Sequence, residues 1–149
     1  MASAERTYVD PSALRSLYVH DDRSRRVCAW RMRLRGSLPI TRHGYGELVN
    51  AIALGAFRHD ITASMAEAAV ADVDGDLAAQ RLVLVDVAWR LTLDAAAVLS
   101  RRHTPTLGTR TLDVLHVASA QTLGLGTFVT YDDRQAALAT AVGLRVVRP

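Results

Sequence analysis

Thr127-Phe128-Val129-Thr130, a helix-forming run from Arg134 to Val142, and Gly143-Leu144-Arg145-Val146-Val147 together form the stretch on which the fold turns. Thr127 to Thr130 is rich in β-branched and aromatic residues and follows the turn at Gly124 to Gly126, so it reads as a strand. Gly143 stops the helix, and Leu144 to Val147 reads as a second strand. Two strands joined through one helix belong to a parallel sheet with a right-handed crossover.

The same alternation runs back along the chain. Strands are expected at Thr7 to Val9, Leu38 to Thr41 and Leu82 to Val87, the last a continuous apolar run of the kind covered on both faces. Helices are expected from Pro11 to Val19, with Pro11 tolerated in the first turn, and from Arg23 to Arg35, with Val27, Trp30 and Leu34 as its apolar stripe. Further helices run from about Tyr45 to Phe57 and from Thr62, the latter with Met65, Ala68, Ala69 and Val73 inward and Gly75 ending or loosening it. Leu91 to Arg102 reads as a helix, Thr104 to Gly108 as a loop around Pro105, and Thr111 to about Leu123 as a helix. The pattern predicts an α/β fold with a mostly parallel central sheet flanked by helices, in which ligands gather beyond the carboxyl ends of the strands.

At 149 residues, half of them apolar, the chain is expected to form one domain spanning 1–149. No apolar signal stretch opens it and no run is fit to cross a bilayer, so no membrane association and a cytoplasmic location are expected. The lone Cys28 excludes an internal disulfide and reads as core filler, as do Trp30 and Trp89. All 18 basic residues are arginine. Chemistry that needs lysine is thereby excluded, which removes the usual mechanisms of haloacid-dehalogenase-type phosphatases and receiver domains. The five histidines have no zinc-ligand spacing.

Four acids stand in apolar segments where folding alone does not call for them: Asp10, Glu47, Asp113 and Asp132. Buried carboxylates must be paired, hydrogen-bonded or bound to a cation. Each has a plainer reading by itself. Asp10 and Asp132 can cap helices, Asp113 can face a helix dipole, and Glu47 can be the solvent-facing residue of an amphipathic helix. Capping does not account for all four together, and a hard divalent metal does.

Tyr-Val-Asp-Pro-Ser-Ala-Leu at 8–14, Glu-Leu-Val-Asn-Ala-Ile at 47–52, Thr-Leu-Asp-Val-Leu-His-Val-Ala-Ser-Ala at 111–120 and Phe-Val-Thr-Tyr-Asp at 128–132 resemble the four acidic motifs of PIN-domain ribonucleases. The resemblance is greatest to the VapC-type toxins of bacterial toxin–antitoxin pairs and extends over nearly the whole chain. It implies a PIN-like three-layer fold and a Mg2+- or Mn2+-dependent endoribonuclease hydrolysing RNA phosphodiester bonds. A homodimer and a cognate antitoxin are implied as well. Carried over by position, Asp10, Glu47, Asp113 and Asp132 are both the catalytic and the metal-binding residues. Thr130 and Ser12 take supporting parts. His116, one helical turn beyond Asp113, reads as a support or core residue rather than a ligand, and Asp133 as a solvated cap or auxiliary ligand. Pro11 departs from the small hydroxyl residue that many relatives carry there.

The run from Arg23 to Arg35 holds six arginines around its apolar stripe and reads either as a solvated face or as a phosphate track for RNA. Arg31, Arg35 and Arg110 are the RNA-contact candidates. The alternative to an enzyme is a catalytically silent PIN-like module that binds RNA or an antitoxin in a regulatory complex.

Overall fold

The computed structural model describes residues 2–149. After a short 3₁₀ turn the chain forms β1 (Thr7–Val9), α1 (Pro11–Arg15), α2 (Ser24–Met32), β2 (Leu38–Thr41), α3 (Arg42–Phe57) and α4 (Ala63–Ala78). It continues through β3 (Leu82–Val85), α5 (Trp89–Leu107), α6 (Thr111–Thr122), β4 (Thr127–Val129), α7 (Asp133–Ala141) and β5 (Arg145–Val147). The strands pair in the order β1-β4-β5, with β2-β3 as a second ladder, and every pairing is parallel. A parallel bridge between Ser3 and Arg35 aligns the starts of β1 and β2, so the two ladders run the same way. All carboxyl ends therefore lie on one edge.

Two cores sandwich the strands. Leu14, Leu38, Ile40, Leu48, Ile52, Val73 and Leu82 pack on one side, and Tyr8, Val114, Val117, Phe128 and Leu138 on the other. Phe128 is fully buried, and its ring stacks on Tyr8 at 5.3 Å between centroids. Removing a side chain of that size from water is worth about 2–3 kcal/mol. At the start of α3, Thr41 accepts the Gly44 N–H at 3.0 Å. A Cβ on Gly44 would meet the Thr41 hydroxyl at 2.9 Å, so the cap and the glycine are one device that lets α3 begin close to the sheet.

Several expectations need correction. The strand read as Leu82 to Val87 stops at Val85 and is an edge strand with Leu84 exposed, because it has a partner on one side only. The helix of residues 63–78 turns Ala66, Ala69 and Val73 inward and leaves Met65 and Ala68 exposed; it also passes through Gly75. Helix α5 begins at Trp89 and runs through Pro105 to Leu107, where a loop was expected. A proline that near the end removes little of the ladder, and Gly108, at φ 63, closes the helix by donating to Thr104 O at 2.8 Å. Helix α1 is shorter than read, ending at Arg15 before a series of turns. Cys28 is exposed because α2 buries only Ser24 and Val27. Trp30 packs against the core as expected, whereas Trp89 is 45% exposed on the first turn of α5.

Candidate active site

Three ends of secondary structure and one helix face converge at the carboxyl edge. Asp10 follows β1, Asp132 follows β4, Asp113 lies in the first turn of α6, and Glu47 projects from α3. All four line one cleft of about 590 Å³, together with Ser12, Asn50, Arg110, His116 and Gln135. Three of the four acids also serve the helix ends they stand at. Asp10 caps α1 by accepting from Ser12 N at 3.2 Å, Asp132 caps α7 by accepting from Gln135 N at 2.9 Å, and Asp113 accepts from Arg110 N at 3.1 Å. Each cap fixes a carboxylate while leaving it at the cleft.

Each acid also has a specific side-chain partner. Asp10 accepts from the Ser12 hydroxyl and, at 3.2 Å, from the Gln135 amide. Glu47 is hydrogen-bonded to His116 Nε2, whose Nδ1 lies 2.6 Å from the Tyr8 hydroxyl. An ionised Glu47 assigns the tautomer: Nε2–H donates to Glu47, and Nδ1 accepts from Tyr8. Burial raises the Tyr8 pKa above that of an ordinary phenol, which keeps this hydroxyl a donor. His43 stacks on the His116 ring at 5.1 Å, and its pKa is pushed down to about 4, first by burial and then by the neighbouring His116.

The one cation among the residues lining the cleft is Arg110. Its Nε donates to Asp113 at 3.1 Å and its Nη2 to Asp132 at 3.2 Å, which strengthens its hold on its proton. Among the described residues no three His, Cys, Asp or Glu side chains converge tightly enough to cage an ion. The donor chemistry nevertheless suits a hard divalent cation: four carboxylates face one cleft, and the buried Gln135 Oε1 beside them has no hydrogen-bond partner.

The supporting residues separate. Thr130 is buried and its hydroxyl accepts from Asp132 N at 3.1 Å, so it sets the backbone that carries the acid. Ser12 and His116 touch Asp10 and Glu47 directly. Asp133 pairs with Arg148 at 2.7 Å and does not line the cleft. Of the RNA-contact candidates only Arg110 lines it; Arg31 donates instead to the Gly36 and Arg81 carbonyls. Sequence reading missed Gln135, Tyr8 and His43. Only Gln135 carried a signal, as the Gln three residues after the N-cap Asp132.

Parallel strands with acids at their carboxyl edge define an α/β fold with its candidate centre at that edge. Residues 7–141 match the family described as the PIN domain, and the chain belongs to that family. It is also 50% identical over 42 residues to Ribonuclease VapC46 of Mycobacterium tuberculosis (strain ATCC 25618 / H37Rv). That match covers 27% of this chain and 32% of the relative, so the chain spans about a third of the curated protein it matches. Among the described residues no helix is long and apolar enough to cross a membrane.

Proposed function

We propose that this protein is a divalent-metal-dependent endoribonuclease, the toxin of a toxin–antitoxin pair, with Asp10, Glu47, Asp113 and Asp132 as its catalytic acids. The observation that carries the reading is their meeting in one cleft against a single guanidinium. PIN family membership supports it, as does the ribonuclease name of the relative. The four carboxylates would hold Mg2+ or Mn2+, with Gln135 Oε1 as a further oxygen donor. A divalent cation bound there supplies positive charge for a scissile phosphate and acidifies water for attack.

The chain's own residues prepare that site. Ser12 and Gln135 hold Asp10 from two sides, and the Tyr8–His116 chain orients Glu47. Thr130 anchors the Asp132 backbone. Arg110 balances Asp113 and Asp132 and is exposed, so an incoming phosphate can draw its guanidinium away. Exposed Leu91, Leu93 and Val98 on α5, and Phe57 and Met65 near the α3–α4 turn, support homodimer and antitoxin contacts in the cytoplasm.

The test is incubation of the antitoxin-free protein with total bacterial RNA in magnesium, in manganese and in chelator, beside Asp10→Asn. Discrete fragments that require metal and vanish in the variant are expected. A second reading, a silent binding module, draws on Arg110 bridging two of the acids. Tight RNA or antitoxin binding by a folded protein that cuts nothing in either metal would establish it instead.

A further inference from the structure

The arginine run of residues 23–35 is divided by the fold. Arg31 reaches the Gly36 and Arg81 carbonyls, which precede β2 and β3, and Arg35 O accepts from Ala4 N just before β1. Since all strands run in one direction, Arg31 and Arg35 sit at the amino edge of the sheet, opposite the four acids. The start of α2 lies elsewhere. The Arg23 guanidinium rests 4.3 Å from the centroid of the Tyr131 ring, and Tyr131 is the residue between Thr130 and Asp132. Arg26 is one turn on, on the same helix face. The charges of Arg26 and Arg23 both act on the Tyr131 hydroxyl, against the effect of its burial. The run thus starts at the edge that carries the proposed catalytic cleft, and Arg31 lies about 12 Å away along the helix, at a rise of about 1.5 Å per residue.

The side chains at the two ends are also differently engaged, since Arg31 is committed to two backbone carbonyls. Arg42, Arg81, Arg110 and Arg148 all have carboxylate partners. Arg23 and Arg26 are exposed and form no ion pair among the described residues. Asp21 beside them already accepts from the Ser16 hydroxyl at 2.8 Å and from Arg23 N at 2.8 Å. The Tyr131 hydroxyl donates to Pro149 O at 2.7 Å, which holds the ring under Arg23 in place.

We infer that Arg23 and Arg26 form the phosphate-binding flank that holds single-stranded RNA beside the acidic cleft, and that Arg31 and Arg35 do not. The inference rests on the ribonuclease reading and adds the surface along which the RNA backbone runs. Two guanidiniums without carboxylate partners on one helix face offer adjacent phosphate contacts, and the neighbouring acids leave the backbone no purely basic path across the cleft.

Binding of a labelled single-stranded RNA, followed by fluorescence anisotropy in chelator over a range of NaCl, tests this without cleavage. Arg23→Gln/Arg26→Gln is expected to make the slope of log K against log[NaCl] shallower by about 1.4, or about 0.7 per lost phosphate contact. Arg23→Lys/Arg26→Lys is expected to retain the slope, and Arg31→Gln/Arg35→Gln to match wild type. Circular dichroism and Mn2+ affinity, both expected to be unchanged in Arg23→Gln/Arg26→Gln, confirm an intact fold and acidic site. A wild-type slope in Arg23→Gln/Arg26→Gln, or an equal loss in Arg31→Gln/Arg35→Gln, overturns the flank while leaving the nuclease reading in place. Wild-type protein that binds no RNA even at low salt overturns both.

Discussion

The two edges of the sheet carry similar residues in opposite balance. At the amino edge, Tyr18 and Arg81 donate to the two oxygens of Asp76 at 2.9 and 2.7 Å, and Arg31 lines the same pocket of about 350 Å³. One carboxylate there shares a pocket with two arginines, of which Arg81 pairs with it. At the carboxyl edge, four carboxylates line a cleft whose one arginine, Arg110, pairs with two of them. The first cluster closes on its own partners, whereas the second has more carboxylates than arginines to face them, the imbalance on which the proposed cation site rests. What separates the two clusters is the balance of charge types, one acid with two arginines lining the first pocket and four acids with one arginine lining the second.

Asp113→Asn is the largest perturbation of the comparison. It should lower RNA cleavage by about 10³-fold with the fold retained, the scale of losing a preorganised electrostatic group. The counterpart Asp76→Asn should leave cleavage unchanged and cost about 1 kcal/mol of stability, measured by urea unfolding. Equal cleavage losses would erase the distinction between the edges. Tyr8→Phe sharpens the account: without its donor His116 no longer holds Glu47 firmly, and Mn2+ affinity measured by electron paramagnetic resonance should weaken by about tenfold. Arg110→Gln has the opposite sign. Removing the competing guanidinium should tighten Mn2+ binding by about fivefold, the size expected of one partly exposed charge contact.

A smaller effect appears with pH. His43 titrates near 4 in the folded protein against 6.5 as its ordinary value. Between these values the unfolded chain takes up a proton that the native state refuses, so this histidine lowers stability as pH falls through that window and has no effect above it. Urea midpoints of wild type should therefore decline more steeply from pH 7 to 5 than those of His43→Gln. Parallel curves would show that His43 is accessible to protonation in the fold.

Much of this organisation was legible in the sequence, for identifiable reasons. Thr7–Val9 and Leu38–Thr41 match the strands to the residue because β-branched and apolar runs there end at a helix cap or turn. The four acids were visible as charge inside apolar segments. The end of α5 was not, because Pro105 signals a break that the Gly108 cap makes tolerable. Nor were the supports. Tyr8 reaches His116 across 108 residues and Gln135 reaches Asp10 across 125, contacts that only the parallel pairing of β1 with β4 creates. The split of the arginine run escaped for the same reason, since charge composition does not say which edge of a sheet a helix end reaches.

The most direct measurement is calorimetric titration of Mn2+ into the wild-type protein and into Asp113→Asn. The account predicts saturable binding by wild type that weakens by at least about tenfold in the variant, the loss expected when a charged oxygen ligand leaves a hard-cation site. Folded wild-type protein that binds no Mn2+, or binding that Asp113→Asn leaves untouched, would contradict it.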